Sequence, residues 1–291
     1  KASTALAFSE LGSEYRVGFS TINGLGNGSY VPMPSDGGFS GVNRSQFFDT
    51  LLDLLIYQRG TPLRSALQWS GENFKNNYWN DGVSCRRAFT ILTTDGYWSA
   101  EDIQVGNVDG DSKAPYADSV DNTLADVAMK YWLDDLSTEP DTVRPTQQNP
   151  ATWQHMTTFS LSLGLKGKLD PVADLPLLAA GNKSWPDPFA SDSHKIDDLL
   201  HAAVNSRGRF VAAANPDEFR KGLLDALNEI TQMAGSQAAG GMSQQAYSDG
   251  ALYFQAGFDS DNWSGTLRAF KLNRSGNSVT VGNTLWNAAD K

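Results

Sequence analysis

Two spacings of apolar residues alternate along most of the chain, one typical of helices and the other of strands. Helical spacing predicts helices at 1–11, 44–58, from 62 onward, and at 121–135, 195–205 and 215–233. Strand-like runs lie between them, at 15–22, 87–94, 156–164 and 209–213. Strands that alternate with helices are typical of a parallel sheet covered on both faces. The pattern predicts a doubly wound, mostly parallel α/β sheet, with the apolar run 87–94 as a central strand.

The pattern changes near residue 234. Residues 235–248 are mostly Ala, Gly, Ser and Gln, a composition typical of a linker. Strand-like runs without helices follow at 252–258, 265–272 and 278–286. We therefore expect an α/β domain at 1–234, a linker at 235–248 and antiparallel strands at 249–291. Because the first residues have the pattern of a helix already under way, we also expect this chain to be part of a longer protein.

Composition narrows the classes of function. The chain has 291 residues, 40% of them apolar, which is enough for a buried core. Its formal charge of −10 would repel a phosphate backbone, so we expect no nucleic-acid partner. No apolar stretch approaches the roughly 18 residues needed to span a membrane. Cys85 is the single cysteine of the sequence, so it has no partner within it for a disulfide.

Two oxygen-bearing side chains lie where a parallel sheet usually binds ligands, at the carboxyl ends of its strands. Thr61 stands at the start of a predicted helix, and Asp95 follows the run 87–94. Alone, such a Thr is commonly a helix cap and such an Asp commonly forms a turn. Together they are candidate ligands for a hard cation such as Mg²⁺, which prefers oxygen.

These segments resemble known families. Gly60-Thr61-Pro62-Leu63 and Thr94-Asp95-Gly96 look like two of the three segments of the metal-ion-dependent adhesion site of von Willebrand factor A domains. The third segment, Asp-x-Ser-x-Ser, should precede residue 1. A closer resemblance, to the PilY-type tip adhesins of type IV pili, covers nearly the whole chain. It is carried by residues 85–98, 123–129, 153–156, 196–205, 215–219 and 263–267.

The resemblance implies a non-enzymatic protein that is secreted through the periplasm to the cell surface and the pilus tip. There it would promote pilus assembly and attachment, with minor pilins or the pilus tip and a host or surface ligand as partners. It implies an A-type domain at 1–234 that lacks its first strand here, followed at 249–291 by the first strands of a β-propeller. It also implies that Thr61 and Asp95 bind Mg²⁺, or Mn²⁺ or Ca²⁺, in the intact protein, and that this piece holds the ion poorly.

Two alternatives stay open from the sequence. One is a structural pilus-tip component with an inert A-type domain, which would bind no cation at Thr61 and Asp95. The other is a hydrolytic enzyme, which would need a nucleophile or an acid–base pair in a cleft. No Gly-x-Ser-x-Gly motif marks a nucleophile, and His201 reads as a packed or capping residue.

Overall fold

The computed structural model describes residues 1–23, 30–35, 38–55, 60–79, 82–146, 148–235, 241–242, 252–259, 264–275 and 278–287. The chain divides into two compact units, Lys1–Leu227 and Asn228–Lys291. The helices are α1 (Ala2–Ser9), α2 (Gly41–Asp53), α3 (Leu63–Asn77), α4 (Leu124–Leu133), α5 (Leu175–Ala179), α6 (Asp192–Asn205) and α7 (Pro216–Gly235). The strands are β1 (Phe19–Ser20), β2 (Tyr30–Val31), β3 (Ala88–Thr94), β4 (Met156–Leu163), β5 (Phe210–Ala213), β6 (Gly241–Met242), β7 (Leu252–Asp259), β8 (Ser264–Ser275) and β9 (Ser278–Asn287). Among the described residues, no helix is long and apolar enough to cross a membrane.

The first unit is built on a parallel sheet with the strand order β3-β4-β5. Ala88 lies opposite Met156 at one end of the β3–β4 pair, and Ser160 lies opposite Phe210 in the β4–β5 pair. The middle strand β4 is buried along nearly its whole length. The predicted parallel α/β fold is therefore confirmed.

Helices cover both faces of this sheet. Side chains alternate between the faces along a strand, so Leu92 and Ile91 of β3 belong to different clusters. Leu92 packs into a cluster with buried residues of α3, α4 and α6. Ile91 packs with α1 and with the first part of α7, including Leu223. This arrangement on two faces confirms the doubly wound architecture.

The predicted strand at 15–22 was wrong in extent and in its place. Only Phe19–Ser20 forms a strand, and it pairs antiparallel with β2 rather than joining the parallel sheet. Its alternating apolar residues, Val17 among them, instead pack against Phe39 and Phe47 in a side cluster with α2. Alternating apolar residues indicate an extended segment with one buried side. In this segment the buried side packs against a helix.

The expectation that 87–94 is a central strand was also wrong for the described residues. β3 is an outer strand that pairs with β4 alone, and β4 holds the central position. Helices bury the two faces of β3 whether or not a second strand lies beside it. The apolar sequence of β3 therefore indicates that both of its faces are covered, but it does not indicate how many strands pair with it. The described sheet does not by itself show an A-type arrangement.

The second unit contains an antiparallel sheet with the strand order β6-β7-β8-β9. Phe254 lies opposite Ala269, which in turn lies opposite Trp286, so the three strands carry neighbouring apolar residues. The predicted antiparallel segment is thus confirmed. Most of the predicted linker 235–248 lies outside the described residues, and the domain bounds and the propeller stay predictions.

His155 is a buried titratable group directly before β4. Its Nδ1 lies 2.8 Å from the Trp153 carbonyl oxygen and its Nε2 lies 2.8 Å from Asn149 Nδ2. A carbonyl oxygen only accepts, so Nδ1 carries the proton and Nε2 accepts from the Asn149 amide. Burial lowers the pKa of His155 to about 4, against the opposing effect of the bond to Trp153. The folded protein therefore holds this imidazole neutral.

We predict that His155→Gln removes one source of acid sensitivity. In the unfolded chain His has a pKa of about 6.5, so between pH 6.5 and 4 the unfolded state binds the extra proton. The unaltered protein should therefore lose stability as pH falls through this window, by about 2 kcal/mol between pH 7 and 5. Urea unfolding at pH 7 and pH 5 gives the free energy of unfolding of both proteins. The difference in this free energy between the unaltered protein and the variant should shrink by about 2 kcal/mol from pH 7 to pH 5. A difference that stays constant from pH 7 to 5 would contradict the assignment.

Candidate functional site

Thr61 and Asp95 lie in two loops that meet at the carboxyl edge of the parallel sheet. Asp95 directly follows β3 and is exposed, whereas Thr61 precedes α3 and is half-buried. The Thr61 carbonyl oxygen accepts hydrogen bonds from the backbone N–H of Leu63 at 2.9 Å and of Ser99 at 3.0 Å. The bond to Ser99 joins the loop before α3 directly to the loop after β3.

Two glycines allow this close approach. A Cβ atom placed on Gly96 would lie 3.3 Å from Thr61 Oγ1, so the Thr61 hydroxyl lies beside the residue that follows Asp95. A Cβ atom placed on Gly60 would lie 3.1 Å from Ser99 Oγ. Both distances are shorter than ordinary van der Waals contact. A side chain at either glycine would therefore press into the opposite loop, and one at Gly96 would also fill the space beside the Thr61 hydroxyl.

Thr94 fixes the turn that presents Asp95. Its Oγ1 accepts a hydrogen bond from the Gly96 N–H at 3.0 Å and donates one to the Gly96 carbonyl oxygen at 2.8 Å. Within the described part of the chain, the Thr61 hydroxyl and the Asp95 carboxylate have no hydrogen-bond partner. Both oxygen groups thus remain available to a ligand, and a hydroxyl with a carboxylate is a donor set that suits a hard cation.

The pair is an incomplete cation site. Over the residues that the structure describes, no three His, Cys, Asp or Glu side chains lie close enough together to hold a metal ion. Mg²⁺ prefers six oxygen ligands in octahedral geometry. Thr61 and Asp95 fit the chemistry of such an ion but would leave most of its coordination sphere to water or to other groups.

Glu101 holds the start of α3. Its Oε2 accepts the Ser65 N–H at 2.7 Å and its Oε1 accepts the Arg64 N–H at 3.3 Å. These are backbone donors of the first helical turn, where a negative charge is favourable. Oε1 also lies 3.8 Å from Nε of Arg64, and both side chains are almost fully buried. Burial lowers the pKa of Arg64, and the charges of Glu101 and Asp198 oppose that shift.

Asp198 anchors the loop after β3 from the other side. Its carboxylate accepts the Trp98 indole N–H at 3.1 Å and the backbone N–H groups of Leu124 and Ala125 at 3.0 Å. It thereby joins α6, the start of α4 and the segment that follows Asp95. Burial raises the pKa of Asp198 to about 6, although its bonds to the α4 backbone favour the charged form.

Comparisons with known proteins identify relatives. Type IV pilus biogenesis factor PilY1 of Pseudomonas aeruginosa strain PAK is 33% identical over 345 aligned residues, which cover 97% of this chain. The PilY1 proteins of strains PAO1 and UCBPP-PA14 are 34% and 30% identical over 86% and 98% of it. The chain is homologous to part of PilY1. It spans only 29%, 26% and 29% of the length of these relatives, in the same order. No known family model and no solved structure matches it.

The homology to PilY1 agrees with the sequence resemblance, but the role of Thr61 and Asp95 stays a prediction. Sequence reasoning did not single out Glu101 or Asp198. Asp198 has a readable signal, since it lies between Ile196 and Leu199 on the buried side of an amphipathic helix. Glu101 has none, because the Arg64 N–H that it accepts, in the first turn of α3, lies 37 residues earlier in the sequence.

The aromatic residues near Asp95 separate into buried and exposed groups. Trp98 is buried, with Phe189 against its ring at 5.3 Å between centroids. Phe189 and Tyr97 are 52% and 37% exposed, so they are the members of this group that a partner could touch. His201 lies away from solvent and stacks on Trp185 at 4.0 Å, which makes it a packed residue.

We predict that Thr94→Val loosens the turn at Asp95 without unfolding the protein. Valine keeps the β-branched shape that suits β3 but removes both hydrogen bonds to Gly96. The loss should lower the free energy of unfolding by about 1–3 kcal/mol. Urea denaturation gives this value, with Thr93→Val as the control because Thr93 is exposed on the same strand. Equal stability of the two variants would show that the Thr94 hydroxyl does not hold the turn.

Proposed function

We propose that this chain is part of a pilus-associated surface protein that promotes type IV pilus biogenesis and mediates attachment. The observation that carries the proposal is the homology to PilY1 over nearly the whole chain. These relatives are named as pilus biogenesis factors, and attachment is the further step of the proposal. The protein would act at the pilus tip on the cell surface, with minor pilins and a host or surface ligand as partners, and it would catalyse no reaction.

Attachment would use the Thr61–Asp95 pair as part of a divalent-cation site. A bound Mg²⁺ or Mn²⁺ would supply positive charge that attracts an acidic group of the partner. The Thr61 hydroxyl and the Asp95 carboxylate would hold the ion, and the Thr94 turn would keep Asp95 at the tip of its loop. The available oxygen atoms and the two close-packed glycines support this role.

The remaining ligands would come from the loop after a strand that the resemblance to A-type domains implies before residue 1. We propose that this strand occupies the outer edge of β3. Within the described residues that edge pairs with no strand, while both faces of β3 are covered by helices. A parallel strand is normally buried on both faces and paired, so this edge is a suitable place for one more. Its following loop would carry Asp-x-Ser-x-Ser to the edge where Thr61 and Asp95 lie.

The second unit would begin a β-propeller. Its four strands β6 to β9 follow one another in space as they do in sequence, which is the arrangement of one propeller blade. A blade is stable when neighbouring blades cover it, so further chain or another subunit would pack on this sheet.

A structural tip component with an inert A-type domain is the second candidate. The observation that favours it is the incomplete donor set, since no described group of three acidic, His or Cys side chains could hold an ion. The two candidates differ in one measurable property, which is cation binding that depends on Asp95.

We predict that the full-length protein containing this chain binds Mn²⁺ and that Asp95→Ala weakens binding at least tenfold, because the variant loses a charged ligand. Isothermal calorimetry measures the affinity of each protein. Asp102→Ala is the matched control: Asp102 is exposed in the same loop, so its removal changes the net charge equally. Equal binding by the Asp95→Ala and unaltered proteins would remove Asp95 from the site.

In cells, we expect deletion of the gene to lower the number of surface pili, counted by electron microscopy. Complementation with Asp95→Ala should restore pili but not attachment to a surface, because we assign attachment, and not biogenesis, to the cation site. Normal attachment with Asp95→Ala would favour the inert domain. Normal piliation of the deletion strain would contradict the role in biogenesis.

A further inference from the structure

Glu101 lies at the point where the two loops of the proposed cation site are joined. Ser99 donates its N–H to the Thr61 carbonyl, and Glu101 then accepts the N–H groups of Arg64 and Ser65. The segment 99–101 therefore lies alongside residues 61–65 and is joined to their backbone by hydrogen bonds. Any movement of Glu101 would change the separation of Thr61 from the loop that carries Asp95.

Glu101 is not itself available as a cation ligand. Oε1 and Oε2 each accept a backbone N–H, and the side chain is only 7% exposed. Its effect on the site must therefore act through the residues that it holds.

A buried positive charge stands next to this site. Arg64 is 2% exposed, and its guanidinium donates to the carbonyl oxygens of Asn122 at 2.7 Å and of Glu101 at 3.0 Å. The ring of Trp98 lies 4.4 Å from it. These partners carry no formal charge, so the carboxylates of Glu101 and Asp198 are what balance the guanidinium. Without that balance Arg64 would repel a second cation held by Thr61, three positions earlier.

We propose that Glu101 is the positioning residue of the cation site: it fixes Thr61 against the Asp95 loop and cancels the charge of Arg64. The inference rests on the proposed cation site and adds a residue that the family motif does not contain. It makes a prediction that a purely structural role does not make. Removing the negative charge of Glu101 and removing the positive charge of Arg64 should change cation affinity in opposite directions, although both changes disturb the same contact.

The test is calorimetric titration of Mn²⁺ into the full-length protein and into three variants. Glu101→Gln keeps the size of the side chain and should weaken Mn²⁺ binding at least threefold. Arg64→Met keeps an unbranched apolar stem against Trp98 and should strengthen binding at least twofold. Asp102→Asn is the matched control, because it removes one exposed charge from the same loop and should change affinity less than twofold.

Salt gives an independent readout. The effect of a buried charge is screened less than that of an exposed one. Raising NaCl from about 0.05 to about 0.5 M should therefore reduce the effect of Asp102→Asn on Mn²⁺ affinity by a larger fraction than the effect of Glu101→Gln. Urea denaturation of each variant shows whether affinity merely follows stability.

The outcomes separate this inference from the proposed function. No Mn²⁺ binding by the unaltered protein would overturn the cation site and the role of Glu101 with it. Binding that Asp95→Ala abolishes but Glu101→Gln leaves unchanged would overturn the role of Glu101 alone. Weaker binding by both Glu101→Gln and Arg64→Met, in proportion to lost stability, would also overturn it. If Glu101→Gln does not fold, Arg64→Met decides: unchanged or weaker affinity would contradict the proposal.

Discussion

Parallel strands end at a common edge of their sheet, and the candidate site of this protein depends on that constraint. β3, β4 and β5 run in one direction, so the loop after β3 and the segments that begin α4 and α6 all emerge at that edge. The chain must also cover both sheet faces, which brings α3 against the same edge. The loops that carry Thr61 and Asp95 consequently meet, although β3 and a whole helix separate the two residues in sequence.

Bringing these loops together buries charge, and the structure balances it locally. Glu101 neutralises Arg64 and caps α3, while Asp198 caps α4 and accepts the Trp98 indole N–H. A buried charge is tolerated when hydrogen bonds and an opposite charge compensate for lost hydration. The raised pKa of Asp198 shows that the compensation is partial.

The homology to PilY1 and the shape of the described sheet lead to one interpretation. The chain spans less than a third of the length of these relatives. β3 has a covered face on each side and an edge with no strand partner among the described residues. The antiparallel unit has neighbouring apolar residues on adjacent strands, Phe254, Ala269 and Trp286. We base on these two features the proposal that a further strand pairs with β3 and that further blades cover the antiparallel sheet.

The sequence by itself determined the types of most elements and the change of architecture. Apolar, β-branched runs predicted β3, β4 and β5, and the runs after residue 249 predicted antiparallel strands, because local side-chain spacing decides which face of an element is buried. The resemblance to known families also singled out Thr61 and Asp95. Only the tertiary structure decided which elements lie beside each other. Among the described strands of the parallel sheet β3 is outermost, and Val17 packs against α2 instead of in a sheet. The roles of Glu101 and Asp198 were also visible only in the tertiary structure. The spacing of apolar residues indicates which side chains are buried. A helix cap or an ion pair between segments that are distant in sequence depends instead on how the folded chain brings those segments together.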